Sequence, residues 1–146
     1  MYNVTLIPGD GIGPEVANAT KAVVDATGIQ INWEEVNAGE AVYEKVGTLV
    51  PDEVYASIEK NRLALKGPIT TPIGKGFRSI NVMLRTKYDL YSNVRPSRNF
   101  KGIDTPFNNV NMTIFRENTE GLYIGEEKVV DNNTTEATKR ITRSGS

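Results

Sequence analysis

Lys66, Thr71, Arg78, Ser79, Asn81, Arg85, Arg95, Arg98, Arg116 and Tyr123 concentrate cations and hydroxyls in the middle of the chain, where they could bind and turn over a small anion. Arg85 falls one helical turn after Asn81, Arg95 closes the apolar stretch that follows, and Arg116 closes the next one. An arginine presents a planar fork matched to a carboxylate, so three or four around one cleft suit a di- or tricarboxylate. Taken singly, an arginine reads better as a solvated surface charge, which is how Arg78 and Arg98 are read here, whereas for Arg95 and Arg116, which end strands beside Pro96 and Glu117-Asn118, the site reading is at least as good. Tyr123 alone reads more readily as a packed or interface aromatic than as an acid.

The elements that must position these groups alternate along the first half of the chain. Residues 2–7 read as a short buried strand, Pro8-Gly9-Asp10-Gly11-Ile12-Gly13 as a turn, and Pro14 as the first position of a helix. In that helix Val16, Ala19, Val23 and Ala26 recur at helical spacing, and Gly28 ends it. The glycines of the turn stand at i, i+2 and i+4, not at the i, i+2 and i+5 of a dinucleotide fingerprint, so the turn is read as structural. Ile29, Ile31 and Trp33 alternate as a second strand, a helix runs from Gly39 to Val46 before Gly47, and Pro51 starts another with Val54 and Ile58 inward. Residues 63–65 form a third strand leading into the loop that carries Lys66 and Thr71. This order predicts an α/β layer with parallel strands and ligand-binding loops at their carboxyl ends.

A helix over 78–88 follows, with Ile80, Met83, Leu84 and Tyr88 inward and Arg78, Asn81 and Arg85 outward. Beyond it the pattern becomes β-rich, with strands expected at 90–95, 110–116, 122–130 and 136–142. The last two form a polar hairpin around Asp131-Asn132-Asn133. A lone hairpin is marginal in water, so this one is expected to pair with another chain.

Composition removes several kinds of chemistry. The 146 residues include no Cys and no His, which excludes disulfides, thiolate nucleophiles, Ser-His triads and imidazole-bound zinc. Seventeen basic and eighteen acidic residues give a net charge of −1, so no global field favours nucleic acid or an anionic membrane. No run approaches the roughly 18 apolar residues of a spanning helix. Met1-Tyr2-Asn3-Val4 lacks the regions of a signal peptide, and a cytoplasmic location is expected.

Three stretches carry a family resemblance: Arg78-Ser79-Ile80-Asn81-Val82-Met83-Leu84-Arg85, Asp89-Leu90-Tyr91-Ser92-Asn93-Val94-Arg95-Pro96 and Phe115-Arg116-Glu117-Asn118-Thr119-Glu120-Gly121-Leu122-Tyr123. Together with Ile7-Pro8-Gly9-Asp10-Gly11-Ile12-Gly13-Pro14 and the loop from Lys66-Gly67-Pro68 to Pro72, they make the chain resemble the β-decarboxylating (isocitrate/isopropylmalate) dehydrogenases. The resemblance implies a partial isopropylmalate dehydrogenase-like fold. Residues 1–90 would begin the large α/β domain, 91–120 the small domain, and 121–146 would form a hairpin clasp arm.

The resemblance also implies roles. Ser79 and Asn81 look like the pair that hydrogen-bonds the distal carboxylate of isocitrate, and Arg85, Arg95 and Arg116 look like the clamp on its other carboxylates. Tyr123 resembles the acid that protonates the enolate after decarboxylation, while Thr71 and Lys66 match residues near the nicotinamide end of the cofactor. The implied cofactors are NAD or NADP, with NAD favoured, and magnesium or manganese, whose ligands are expected outside this chain. A homodimer joined through the terminal hairpin is expected. Apolar residues replace Ser79 and Asn81 in isopropylmalate enzymes, so the polar pair favours isocitrate over isopropylmalate, with homoisocitrate as the alternative. Members of the family are more than twice as long, so the isolated chain is expected to be the inactive N-terminal part of such an enzyme. A natural, non-catalytic assembly partner of a full-length dehydrogenase is the other reading.

Overall fold

The structure is a computed structural model that describes residues 1–70 and 79–145. The chain forms two compact units, Met1–Ile80 and Asn81–Ser146, and each is described by itself.

In the first unit three parallel strands lie in the order β2-β1-β3, with β1 (Tyr2–Ile7) in the centre between β2 (Ile31–Glu35) and β3 (Ala64–Lys66). The register places Val4 beside Trp33, and Thr5 beside Ala64. A central parallel strand is covered on both faces, which accounts for the unbroken burial of residues 4–7 in β1. Val4, Leu6 and Ile7 are buried, as are Ala38, Leu49, Val50 and Val54, the last lying on α3 (Asp52–Asn61).

The buried side of β1 also carries a polar link to α3. Thr5 and Ser57, both buried, share a 2.8 Å hydrogen bond, and the Asn61 amide donates to Thr5 Oγ1 at 3.0 Å. A buried hydroxyl without a partner is costly, so the pair fixes the position of α3 along the sheet. At the surface Lys60 Nζ bridges to Glu34 at 2.6 Å, joining α3 to β2.

Helix α1 (Gly13–Asp25) begins with Pro14 in its first turn, as expected, but it turns a different face inward. Gly13 and Ala17 are buried, whereas Val16 and Val23 are exposed. The small residues decide this: a Cβ on Gly13 would stand 2.4 Å from Pro8 O, a distance at which no larger side chain fits. Helix α2 (Glu40–Val46) stops at Gly47, which takes a left-handed φ of 77°.

The second unit contains most of α4 (Ile80–Lys87), followed by two antiparallel pairs: β4 (Ser92–Arg98) with β5 (Asn111–Glu117), and β6 (Glu127–Val129) with β7 (Thr135–Ala137). Ile80 and Leu84 are the buried positions of α4. β4 starts and ends later than expected and passes through Pro96, which lies opposite Thr113. In a two-stranded sheet each strand has a free side, where the missing proline N–H costs nothing. The single strand expected over 122–130 is instead a 3-10 turn, Leu122–Ile124, and then β6. Gly121 and Gly125 flank the turn with φ of 73° and 66°, backbone that a strand does not accommodate. The polar turn at 131–134 joins β6 to β7 as expected.

Candidate functional site

The site residues are divided between the two units. Lys66 ends β3 at the carboxyl edge of the parallel sheet, half-buried, and its Nζ donates to Gly67 O at 2.7 Å. Ser79 immediately precedes α4 and is half-buried. Thr71 and Arg78 lie outside the described residues.

The loop from Pro8 to Ile12 packs directly against the loop after β3. Cβ atoms built on Gly9 and Gly67 would stand 1.9 Å from Pro68 O and 2.0 Å from Pro8 O, respectively. The glycines are therefore used to bring two backbones together, which supports a structural turn over a phosphate cradle.

In the second unit Asn81 and Arg85 sit four residues apart on α4, on one helix face. Arg95, expected at the end of a strand, lies inside β4 opposite Ile114. Arg116 pairs with Asn93, and side chains two apart on a strand share a face, so Arg95 and Arg116 project from the same face of this sheet. Arg95 Nε donates to Asn93 Oδ1 at 2.9 Å. Two guanidinium groups on one face, diagonal to each other across two strands, form a cationic surface for an anion with more than one carboxylate.

Tyr123 comes to this pair through the 3-10 turn. Its hydroxyl oxygen accepts from Arg116 Nη2 at 2.6 Å, with the guanidinium 6.0 Å from the ring centroid. Because the phenol oxygen is the acceptor in this contact, its own O–H proton is left to donate elsewhere.

Three residues that hold this arrangement were not singled out from the sequence. The Glu117 carboxylate accepts from Thr119 N at 2.6 Å, Thr119 Oγ1 at 2.8 Å and Glu120 N at 2.9 Å, so it folds the chain back immediately after Arg116. Glu120 in turn accepts from Thr142 N at 2.8 Å and from the Thr142 hydroxyl. Asn118 is buried, and its amide donates to Leu90 O at 3.3 Å. An acidic residue two positions before a threonine and four before a glycine was the available signal for this turn.

Burial works to raise the Glu117 pKa, but the hydrogen bonds from the Thr119 backbone and hydroxyl, Glu120 and Asn118 outweigh it and hold the carboxyl below its ordinary value of 4.5. A depressed carboxylate stabilises the fold above its unfolded pKa, and the contribution is lost as pH falls through the folded value. Wild-type stability, read from urea midpoints, is therefore expected to drop as pH is lowered from 5 through that range. Glu117→Gln is expected to be less stable near pH 7 and to show a shallower acid slope. Parallel slopes for the two proteins would remove the turn-holding role.

Among the described residues no three His, Cys, Asp or Glu side chains cluster, so this part of the chain does not by itself fit the divalent cation that the resemblance implies.

Comparison with known proteins gives a consistent result. The chain is 44% identical over 145 residues to subunit 2 of mitochondrial NAD isocitrate dehydrogenase from Kluyveromyces lactis, covering 99% of this chain and 39% of that protein. It is also 44% identical to the human mitochondrial subunit alpha, covering all of this chain and 40% of that one. The solved isocitrate dehydrogenase of Methylococcus capsulatus superposes with a TM-score of 0.89 at 48% identity, covering 99% of this chain and 44% of that chain. A β-decarboxylating dehydrogenase from Thermococcus kodakarensis gives 0.76 at 35% identity, over 99% and 42%. The chain thus spans about two fifths of the length of the curated relatives it matches.

The expected cytoplasmic location is overturned, because these curated relatives are mitochondrial subunits. That expectation rested on the opening residues of a chain that spans about two fifths of these relatives' length, and such residues carry no information about targeting. The family model for isocitrate/isopropylmalate dehydrogenases matches residues 3–146, and the chain belongs to that family.

Proposed function

We propose that residues 1–146 are the N-terminal part of an NAD-dependent isocitrate dehydrogenase, which converts isocitrate to 2-oxoglutarate and carbon dioxide. The observation that carries this reading is the 2.6 Å contact between Arg116 and Tyr123 on the sheet face shared with Arg95, in a chain whose curated relatives bear that name. Those names favour isocitrate over homoisocitrate or isopropylmalate, NAD over NADP, and part of an enzyme over a non-catalytic assembly partner.

Arg95, Arg116 and Arg85 hold the carboxylates and offset the charge of the trianion without rearranging, while Ser79 and Asn81 hydrogen-bond its distal carboxylate. When bound, NAD would accept the hydride leaving the hydroxyl-bearing carbon and become NADH, while the hydroxyl proton is released to solvent. After carbon dioxide departs, Tyr123 donates its phenolic proton to the enolate carbon. The loop after β3 lies at the sheet edge where open α/β folds take their ligands, and there Lys66 would face the nicotinamide end, a role that the resemblance also gives to Thr71. Residues 91–120 begin the small domain. The arm at 121–146, whose β6 and β7 residues are all exposed, pairs two subunits.

The test joins residues 1–146 to the C-terminal part of the Methylococcus capsulatus enzyme and follows NAD reduction with isocitrate, homoisocitrate or isopropylmalate. Turnover with isocitrate by the joined protein, and none by 1–146 alone, is the expected result. Preference for another substrate would overturn the assignment, as would a soluble joined protein with no turnover.

A further inference from the structure

One carboxylate at the carboxyl edge of the parallel sheet has no part in the chemistry above. Asp10 lies half-buried in the loop between β1 and α1, and its two oxygens reach two other loops. Oδ1 accepts from the backbone N–H of Thr70 at 2.7 Å, and Oδ2 accepts from the backbone N–H of Glu40 at 3.3 Å. The Asp10 N–H itself donates to Pro68 O at 3.1 Å. One residue thus ties together the segments that follow β1, β2 and β3.

The packing around it leaves little freedom. A Cβ on Gly39 would lie 2.6 Å from Asp10 Oδ2. Gly39 is also the N-cap of α2 and has no side-chain acceptor to offer the first turn, so Asp10 supplies one from thirty residues away. Here the two N–H groups meet different oxygens of the one side chain, Thr70 at Oδ1 and Glu40 at Oδ2. A carboxylate provides both, whereas an amide provides one and would turn a donor against the other N–H.

We propose that Asp10 is a positioning residue that locks the loop at 67–70 against the sheet, and so sets the surface beside Lys66 that meets the nicotinamide cofactor. The cofactor role rests on the dehydrogenase reading; the tie between the loops does not.

The test measures amide hydrogen exchange in the chain 1–146 carrying Asp10, Asp10→Asn or Asp10→Ala. With alanine, exchange at both Thr70 and Glu40 is expected to accelerate about tenfold, the size of one lost charged hydrogen bond, while Leu6 in β1 is unchanged. With asparagine, one of the two amides accelerates and the other is spared, and this variant decides the matter if the alanine protein does not fold. Equal exchange at Thr70 and Glu40 in wild type and variants would overturn the tie. In the joined protein, Asp10→Asn is expected to raise the KM for NAD about tenfold while the kcat and the KM for isocitrate stay within about twofold. An unchanged KM for NAD would overturn the cofactor role alone, whereas a joined protein that is inactive even with Asp10 would overturn the dehydrogenase reading and leave the exchange result standing.

Discussion

Gly67→Ala is expected to remove a large share of the stability of the first unit. Gly67 is buried, its N–H donates to Ile7 O at 2.8 Å, and an added Cβ would stand 2.0 Å from Pro8 O and 3.0 Å from the carbonyl carbon. Both obstacles are backbone atoms, so no side chain can swing aside. Relief requires β1 and β3 to separate where they enter their loops, and this breaks the pairing of Ile7 with Lys66. Overpacking of this kind costs about 1–3 kcal/mol and more where backbone must move, against a total of about 5–15 kcal/mol for a domain. Gly9→Ala is expected to do at least as much harm, because its Cβ would meet Pro68 O at 1.9 Å and its φ of 85° adds about 1–2 kcal/mol of left-handed strain. Gly28→Ala is the control, with a φ of 82° but nothing within 4 Å. Urea midpoints should fall slightly for Gly28→Ala and steeply for the other two. Equal losses at Gly28 and Gly67 would mean that the two loops are not in contact.

Those collisions are also where reading the sequence reached its limit. The punctuation was legible: Pro14, Gly47 and Pro51 mark helix boundaries because proline lacks the N–H that a first turn does not need, and glycine accepts the left-handed backbone of a helix end. The parallel order followed from alternating strands and helices. A glycine's role in close packing depends on what lies opposite it in space, and Pro68 is far from Gly9 along the chain. The same reason hid Asp10, whose acceptors serve amides 30 and 60 residues away. In α1 the apolar periodicity pointed to Val16 and Val23, but the buried side is the one with small residues, because closeness of approach outweighed hydrophobicity there.

The site was legible as a set of residue types, less so as an arrangement. Arg95 and Arg116 were both found, but alternation alone could not show that they share a face, which depends on the register set by Asn93 opposite Arg116. Tyr123 was expected on a strand. It reaches Arg116 only because Gly121 and Gly125 turn the chain and Glu117 gathers the intervening N–H groups.

Tyr123→Phe, made in the joined protein, is expected to lower kcat by about a hundredfold or more, the usual contribution of a positioned proton donor. The substitution keeps the ring, and with it any packing against the Arg116 guanidinium 6.0 Å from its centroid, and it removes the hydroxyl alone. The lost group accepts from Arg116 and donates its proton outward, so substrate binding by the arginines should survive and the KM for isocitrate should change little. Arg116→Lys should behave differently. Lysine offers a compact charge in place of a planar fork, so carboxylate binding and the hold on Tyr123 weaken together, raising KM while lowering kcat. A structural role for Tyr123 predicts that phenylalanine is tolerated. A kcat within about twofold of wild type for Tyr123→Phe would therefore sink its assignment as the proton donor, whereas a selective loss of kcat, set against the mixed defect of Arg116→Lys, would separate the residue that delivers the proton from the one that holds it in place.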